Sequence, residues 1–449
     1  MKRRLQVLLI NPPVYDVAAY GFWSAPLGLL YVGAVLRENG MGLALLDCLK
    51  EREEGRRPDG RAPFVKERVA SPGPLNGLRK SFRRYGLSRQ DVEMRLRAME
   101  PPDLVLVTSI MTYWYAGAAE TVRLARAFFP SAKIVVGGVY PSLCYEHAAA
   151  HMVGADLIVG RDGLAQFYAF VEETFACTLP FKPRADELDI MPYPAFDLYE
   201  KRHFVPLLTS TGCVYACTYC ATPYLRPRIA RRDAGNVLRE IAYWHDQGVS
   251  RFALYDDNFL FRGDAFSKPL LLGIGRLPFE VVFYNPNALN ASLIDREVAA
   301  LLKEAGFREV RIGLETIDPA AQKIMGGKVS REAFELAVTV LEHAGFAPDA
   351  IKAYVLAGLP LQRWEEVKRT VDYAAHFGIQ VSLAEYTPIP HTAMVEQYRS
   401  LARYPIVEEP LFQNNSLFPF AWEGFTEADM NRLKAYVRER NAAAQGLEC

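Results

Sequence analysis

The sequence lacks an excess of charge of either sign. Lys+Arg and Asp+Glu both number 52, so the formal net charge is zero. That balance argues against a general nucleic-acid binder or a polybasic membrane binder, while leaving room for a small local patch. Long apolar runs are also missing, and none reaches the roughly 20 residues needed to span a bilayer. The early run Val7–Ile10 is too short for the core of a secretion signal, and it flows into Asn11-Pro12-Pro13, so it reads as a first strand. Cysteine is sparse, at seven residues, and only Cys213, Cys217 and Cys220 are clustered. Cys48, Cys144, Cys177 and Cys449 are scattered, a usage that fits a reducing cytoplasm better than a disulfide framework. Histidine is equally scarce, and none precedes His147.

What remains is an ordinary globular composition, 50% hydrophobic and 23% charged, in a chain of 449 residues. Two or three domains fit that length. In the first part, short apolar runs alternate with helical patterns. Strands are predicted at Val7–Ile10, Leu43–Leu46, Leu104–Val107, Lys133–Val136 and Leu157–Val159. Helices are predicted at Leu27–Glu38 (with Gly40 capping it), about Ala116–Phe129 and Leu164–Thr174. Continuously apolar strands between helices imply an α/β, doubly wound, Rossmann-like parallel sheet covered on both faces. Ligands of such sheets sit at the carboxyl ends of the strands, where Asn11, Asp47, Thr108, Ser109, Gly137, Gly138 and Gly160 fall. Glycines there let backbone approach a bulky ligand closely. The Arg-rich insertion at about 50–100 reads either as a solvated excursion or as a basic lid.

A Pro-rich stretch, 178–204, reads as a linker. Six further strand–helix repeats follow, with strands at about Val205–Thr209, Arg251–Tyr255, Phe279–Asn285, Glu309–Leu314, Ile351–Leu356 and Gln380–Tyr386. They imply a partial (β/α)6 TIM-like barrel with its chemistry at the carboxyl ends of the strands. The expected division is therefore a first domain at 1–177, a linker at 178–204, a barrel at 205–399 and a small C-terminal cap at 400–449.

The strongest chemical signal is Gly212-Cys213-Val214-Tyr215-Ala216-Cys217-Thr218-Tyr219-Cys220, which follows the first barrel strand directly. An iron–sulfur cubane needs four ligands, usually thiolates, and three from one tight loop leave one iron open. A structural zinc site is closed and wants a fourth Cys or His at short spacing, whereas the nearest downstream histidine is His245.

The Cys-x3-Cys-x-aromatic-Cys spacing, with Tyr219 as the aromatic, resembles the radical S-adenosylmethionine superfamily. The resemblance covers about Pro206–Thr392. It implies that Cys213, Cys217 and Cys220 hold a [4Fe–4S] cluster, and that S-adenosylmethionine chelates the open iron and is cleaved to a 5′-deoxyadenosyl radical. Tyr219, Asp256, Asp257, Asn287, Glu315 and Lys352 match positions that would surround that molecule. The family's Gly-Gly-Glu stretch on the second strand is absent; Tyr255-Asp256-Asp257-Asn258 stands there. Asp256 and Asp257 have a second reading as helix caps, and Glu315 has one as a structural ion-pair partner of Arg311.

The first domain resembles the cobalamin-binding domain fused to a class of these enzymes, the class B methyltransferase-like group. The matching pieces are Asn11-Pro12-Pro13, the Ala25–Tyr31 run, Thr108-Ser109, Gly137-Gly138-Val139-Tyr140-Pro141 and Gly160-Arg161-Asp162-Gly163. This implies cobalamin contacts from Pro13, Leu27, Gly28, Thr108, Ser109, Tyr113, Gly137, Gly138 and Gly160. The Asp-x-His-x-x-Gly motif that supplies a lower axial histidine in other cobalamin proteins is missing, so the face below the cobalt would be apolar, aromatic or water. Tyr113-Trp114-Tyr115 either lies against the corrin or packs the domain.

The resemblance therefore implies a cytoplasmic C-methyltransferase working through methylcobalamin. Its substrate would be a small, natural-product-like molecule and its reductant a flavodoxin or ferredoxin. A cyclase, C–C coupling enzyme or rearrangement catalyst of the same architecture is the alternative. Arg226, Arg228, Arg231 and Arg232 read either as an anion site or as a solvated helix start. Thr387–Thr392 reads as a substrate contact at the barrel mouth. Phe412–Phe418 reads either as a pocket lining or as a turn packing the cap.

Overall fold

The computed structural model describes residues 3–444, so Cys449 lies outside the described residues. The chain divides into two compact units. The first comprises residues 1–203 with 405–417, and the second comprises 204–404 with 418–449.

The first unit contains β1 (Gln6–Asn11), β2 (Val14–Asp16), β3 (Gly42–Asp47), β4 (Lys66–Arg68), β5 (Arg83–Tyr85), β6 (Leu104–Ser109), β7 (Lys133–Gly138) and β8 (Leu157–Ile158). Five of them form one parallel sheet in the order β3-β1-β6-β7-β8. Leu8, Leu9, Ile10 and the whole of β6 are buried, as expected for strands covered on both faces. Helices Leu27–Glu38, Tyr115–Phe128 and Leu164–Phe175 form where the apolar periodicity places them. Gly40 stands in the left-handed region just past the first of these helices.

The insertion is more than a solvated excursion, because it contributes secondary structure and core. β2, β5 and β4 form a small antiparallel sheet, and a helix at Arg89–Ala98 starts on Ser88, whose side chain accepts from Asp91 N. One of its arginines, Arg84, is 1% exposed and grips both carboxylate oxygens of Glu120 at 2.8 and 2.7 Å. The Tyr15 hydroxyl completes that group.

The second unit contains β9 (Val205–Leu207), β10 (Ser210–Thr211), β11 (Ala230–Arg231), β12 (Arg251–Leu254), β13 (Val282–Tyr284), β14 (Leu289–Asn290), β15 (Val310–Glu315), β16 (Ile351–Ala357) and β17 (Gln380–Glu385). The parallel strands fall into two sheets, β13-β12-β9 and β14-β15-β16-β17, with β10 and β11 paired apart as an antiparallel ladder. The two parallel sheets meet through Phe283 and Phe307 and through Asn285. The Asn285 side chain donates to Arg311 O at 2.8 Å and accepts from Arg311 N at 3.1 Å, standing in for a strand pair. Helices at Ala234–Asp246, Arg296–Glu304 and Arg331–His343 begin on Asp233, Asp295 and Ser330, each side chain accepting a first-turn N–H.

The last fifty residues do not form a cap of their own. Residues 405–417 return to the first unit, where Asn414 donates to Asp16 at 2.6 Å and Tyr115 donates to Glu409 at 3.0 Å. The following helix, Glu427–Ala444, belongs to the second unit. The Phe412–Phe418 stretch is therefore split. Gln413 is fully buried and donates to Ile406 O at 2.8 Å.

Candidate functional site

The cysteine loop occupies the turn between β10 and the short helix Thr222–Leu225, at the carboxyl end of β9. Cys217 is buried, while Cys213 and Cys220 are partly exposed. Burial pushes the Cys217 thiol up to about 11, with the nearby Glu315 carboxylate acting in the same direction. Each of the three sulfurs has a hydrogen-bond donor beside it. Asn258 Nδ2 donates to Cys213 Sγ at 3.6 Å. Thr222 N donates to Cys220 Sγ at 3.4 Å. The Tyr219 hydroxyl is shared between Cys217 and Glu315. Among the described residues, no three His, Cys, Asp or Glu side chains converge as they would around a single metal ion.

The segment after β12 braces this loop. Asp256 is 3% exposed and accepts from Thr209 Oγ1 at 2.6 Å, Ser210 Oγ at 2.5 Å and Thr209 N at 3.2 Å. Burial pushes its carboxyl up to about 6 despite those donors. Asp257 accepts from Gly212 N at 2.8 Å and from Thr222 Oγ1 at 3.3 Å, so it holds both ends of the loop. Neither aspartate caps a helix. Asn287 donates to the backbone carbonyls of Asp256 at 3.1 Å and Tyr255 at 3.3 Å, fixing this bracing segment from the next strand. Asn258 is an addition to the residues expected around the site. Its neighbour Asp257 was the available signal, but nothing local indicates contact with a residue 45 positions away.

Glu315 follows a register shift in the β15–β16 pairing and has a φ of 65°. Its partner is Lys328, at 3.7 Å, and not Arg311. Arg311 pairs with Glu309 at 2.5 Å, and Lys352 pairs with the other oxygen of the same carboxylate. Lys352, matched above to the surroundings of S-adenosylmethionine, is thus held in an ion triad. The adjacency follows from the parallel register, which sets Arg311 beside Lys352.

Of the arginines after the cluster loop, Arg232 is buried against Glu240, while Arg231 lies over Phe261 and Phe266 at 5.2 and 5.0 Å from their centroids. The segment leaving β17 does reach the cysteine loop. Met394 N donates to Thr218 O at 2.9 Å, and His391 stacks on Tyr224 at 4.0 Å.

In the first unit, a recess is lined by Asn11, Pro12, Pro13, Val14, Leu49, Thr108, Ser109, Ile110 and Trp114. It lies between the carboxyl ends of β1 and β6. These strands flank the point where the strand order reverses, the position at which open α/β sheets bind ligands. Pro13, Thr108 and Ser109 are thereby brought together. The glycines divide. Gly28 has open space on its Cβ side. Gly138, at φ 110°, is required by packing, since a Cβ there would meet Ser109 O at 2.6 Å. At Gly160 a Cβ would meet the exposed Tyr145 ring, at 2.9 Å. Tyr113 is buried. Trp114 donates to Asp16 at 2.7 Å, and Tyr115 stacks on Tyr140 at 5.4 Å, so the last two aromatics pack within the unit.

A family model, Radical SAM superfamily, matches residues 207–374. The chain is 24% identical to cytidylyl-2-hydroxyethylphosphonate methyltransferase of Streptomyces wedmorensis, over 84% of this chain and 78% of that protein. It is 26% identical to bacteriochlorophyllide d C-12(1)-methyltransferase of Chlorobaculum tepidum, over 67% of each. Its fold is similar to that of the radical S-adenosylmethionine methyltransferase TsrM from Kitasatospora setae, solved with cobalamin and a [4Fe–4S] cluster bound. The TM-score is 0.64 at 19% identity, covering 90% of this chain and 76% of that one. OxsB, a cobalamin-dependent S-adenosylmethionine radical enzyme solved with aqua-cobalamin, gives a TM-score of 0.65 at 14% identity, covering 96% and 66%.

Proposed function

We propose that this chain, which carries a radical S-adenosylmethionine superfamily domain, is a cobalamin-dependent methyltransferase acting at an unactivated carbon. The observation that carries the reading is the cysteine loop. Three thiols on one turn each have a donor, and the turn is braced at both ends by Asp257. The similarity to two methyltransferases along two thirds or more of the chain supports the choice of methyl transfer. A doubly wound sheet with a recess at its switch point supports cobalamin as the second cofactor.

When bound, the cluster supplies an electron to cleave S-adenosylmethionine, and cobalamin carries a methyl group. The protein's own part is to hold and shield. Cys213, Cys217 and Cys220 ligate the cluster and leave one iron open. Tyr219 and Glu315 border Cys217, and Asp257 and Asn287 keep the loop in place from the neighbouring strand ends. Pro13, Thr108 and Ser109 present the corrin edge of the first unit, with Leu27 and Gly28 at the start of the following helix. Gly137 lies at the end of β7 in the same row. The segment at 387–392 carries substrate contacts. The substrate is a small molecule, the reductant is a flavodoxin or ferredoxin, and the protein works in the cytoplasm. Among the described residues no helix is long and apolar enough to cross a membrane.

The test is anaerobic reconstitution with iron, sulfide and cobalamin. A corrin band beside the iron–sulfur absorption is expected. On reduction, S-adenosylmethionine should yield 5′-deoxyadenosine and, as the cobalamin takes a methyl group, S-adenosylhomocysteine, with the two rising in equal amounts once a methyl-accepting substrate is supplied. Replacing Cys213, Cys217 and Cys220 with alanine should abolish the first product. 5′-Deoxyadenosine with not even one S-adenosylhomocysteine per reduced cobalamin would sink methyl transfer, and absence of both would sink the radical reading.

A further inference from the structure

The three donors around the cysteine loop come from different places. Tyr219 lies within the loop and Thr222 begins the next helix, but Asn258 reaches in from the end of β12, in a different strand–helix repeat. Asn258 is buried at 8% exposure. Its backbone follows directly on Asp256 and Asp257, whose carboxylates are tied to Thr209, Ser210, Gly212 and Thr222. The amide is therefore aimed at Cys213 Sγ by a framework that is itself fully engaged. An asparagine amide remains a donor at any working pH, whereas the Thr222 hydroxyl accepts from the Cys220 thiol and donates to Asp257 Oδ1, each at 3.3 Å, so a Cys220 thiolate would compete with that carboxylate for its one proton.

Hydrogen bonds to ligand sulfur stabilise the more negative state of an iron–sulfur cluster, and are one of the levers that set its potential. We propose that Asn258 is a positioning residue that raises the reduction potential of the cluster by donating to the Cys213 thiolate, and so helps decide which reductants can fire it. The inference rests on the cluster reading above and deepens it.

The test is an EPR-monitored redox titration of the anaerobically reconstituted full chain, with iron and acid-labile sulfide measured on the same samples. In Asn258→Leu the donor is gone, and the potential should move to more negative values with four irons retained. At a fixed solution potential the ratio of reduced to oxidised cluster should fall roughly three- to ten-fold. That is the part of a charge-assisted hydrogen bond which a one-electron change in cluster charge can alter. Asn258→Ala, neutral and without the N–H donor, should shift the same way and serves where Asn258→Leu takes up no iron. Asn258→Gln, which keeps the amide, should stay closer to the parent. An unchanged potential in either donor-free variant with a full cluster overturns the proposal. Loss of the cluster from both variants also overturns it, since the amide would then serve assembly and not potential. Failure of the unmodified chain to take up four irons overturns the cluster reading itself, and so is distinguishable from either.

Discussion

Gly212 opens the cysteine loop, and its replacement by alanine tests whether that turn is as tightly determined as its contacts indicate. Its φ is +83°, in the region that costs an L side chain about 1–2 kcal/mol. A Cβ built there would stand 2.4 Å from Arg228 O and 3.0 Å from Arg228 C, which is backbone and cannot rotate away. Forcing a methyl into such a site costs roughly 1–3 kcal/mol more. The total, about 2–5 kcal/mol, is a large part of the 5–15 kcal/mol typical of a folded domain. The relief available is to push Arg228 away, and that pulls on the two-residue ladder pairing Ser210 with Arg231 and Thr211 with Ala230. Gly212→Ala should therefore lower the melting temperature of the cluster-free protein by at least about 4 °C and cut the iron bound after reconstitution to a small fraction. Differential scanning calorimetry and iron analysis read the two effects separately. An alanine variant that melts like the parent and holds four irons would refute the account of the turn.

Other perturbations address the first unit. Arg84→Met leaves Glu120 buried with only Tyr15 beside it, and should cost about 3–5 kcal/mol in urea denaturation. Replacing both partners with apolar residues should recover most of that loss, and failure to recover would show that packing, not charge, is what Arg84 supplies. Burial, followed by the charge of His151, lowers the His147 pKa from its usual 6.5 to about 4. The unfolded chain then binds the proton more readily than the folded one between those values, so stability is lost as pH falls from about 6.5 to about 4. His147→Gln should flatten that part of the stability–pH curve, and an unaltered slope would assign the acid sensitivity to other groups.

Five strands and three helices of the first unit were legible because buried parallel strands and amphipathic helices write their periods locally, as in β1 and in Leu27–Glu38. The small sheet of β2, β5 and β4 was not legible. Its strands are three residues each, too short for a period to register, and the run around Arg84 looks solvated until Glu120 is seen facing it. In the second unit the six expected strands form with boundaries shifted by a few residues, while the two-residue strands β10, β11 and β14 were not legible. The break of the parallel strands into two sheets joined at Asn285 was not legible either, because a side chain replacing a backbone pair leaves no pattern in the chain.

By itself the sequence determined the chemistry that is encoded in spacing. Three cysteines within eight residues, placed after an apolar strand, must share one turn, and the absence of histidine before His147 is a property of composition that no fold can alter. Tertiary structure alone decided which polar groups serve that turn, and which pair elsewhere. Asp256 went to Thr209 and Ser210, Asp257 to Gly212 and Thr222 and Asn258 to Cys213, while away from the turn Lys352 went to Glu309 and Asn414 to Asp16. Those pairings join residues about 35 to 400 positions apart. A hydrogen bond is set by distance and direction in space, and separation along the chain carries neither.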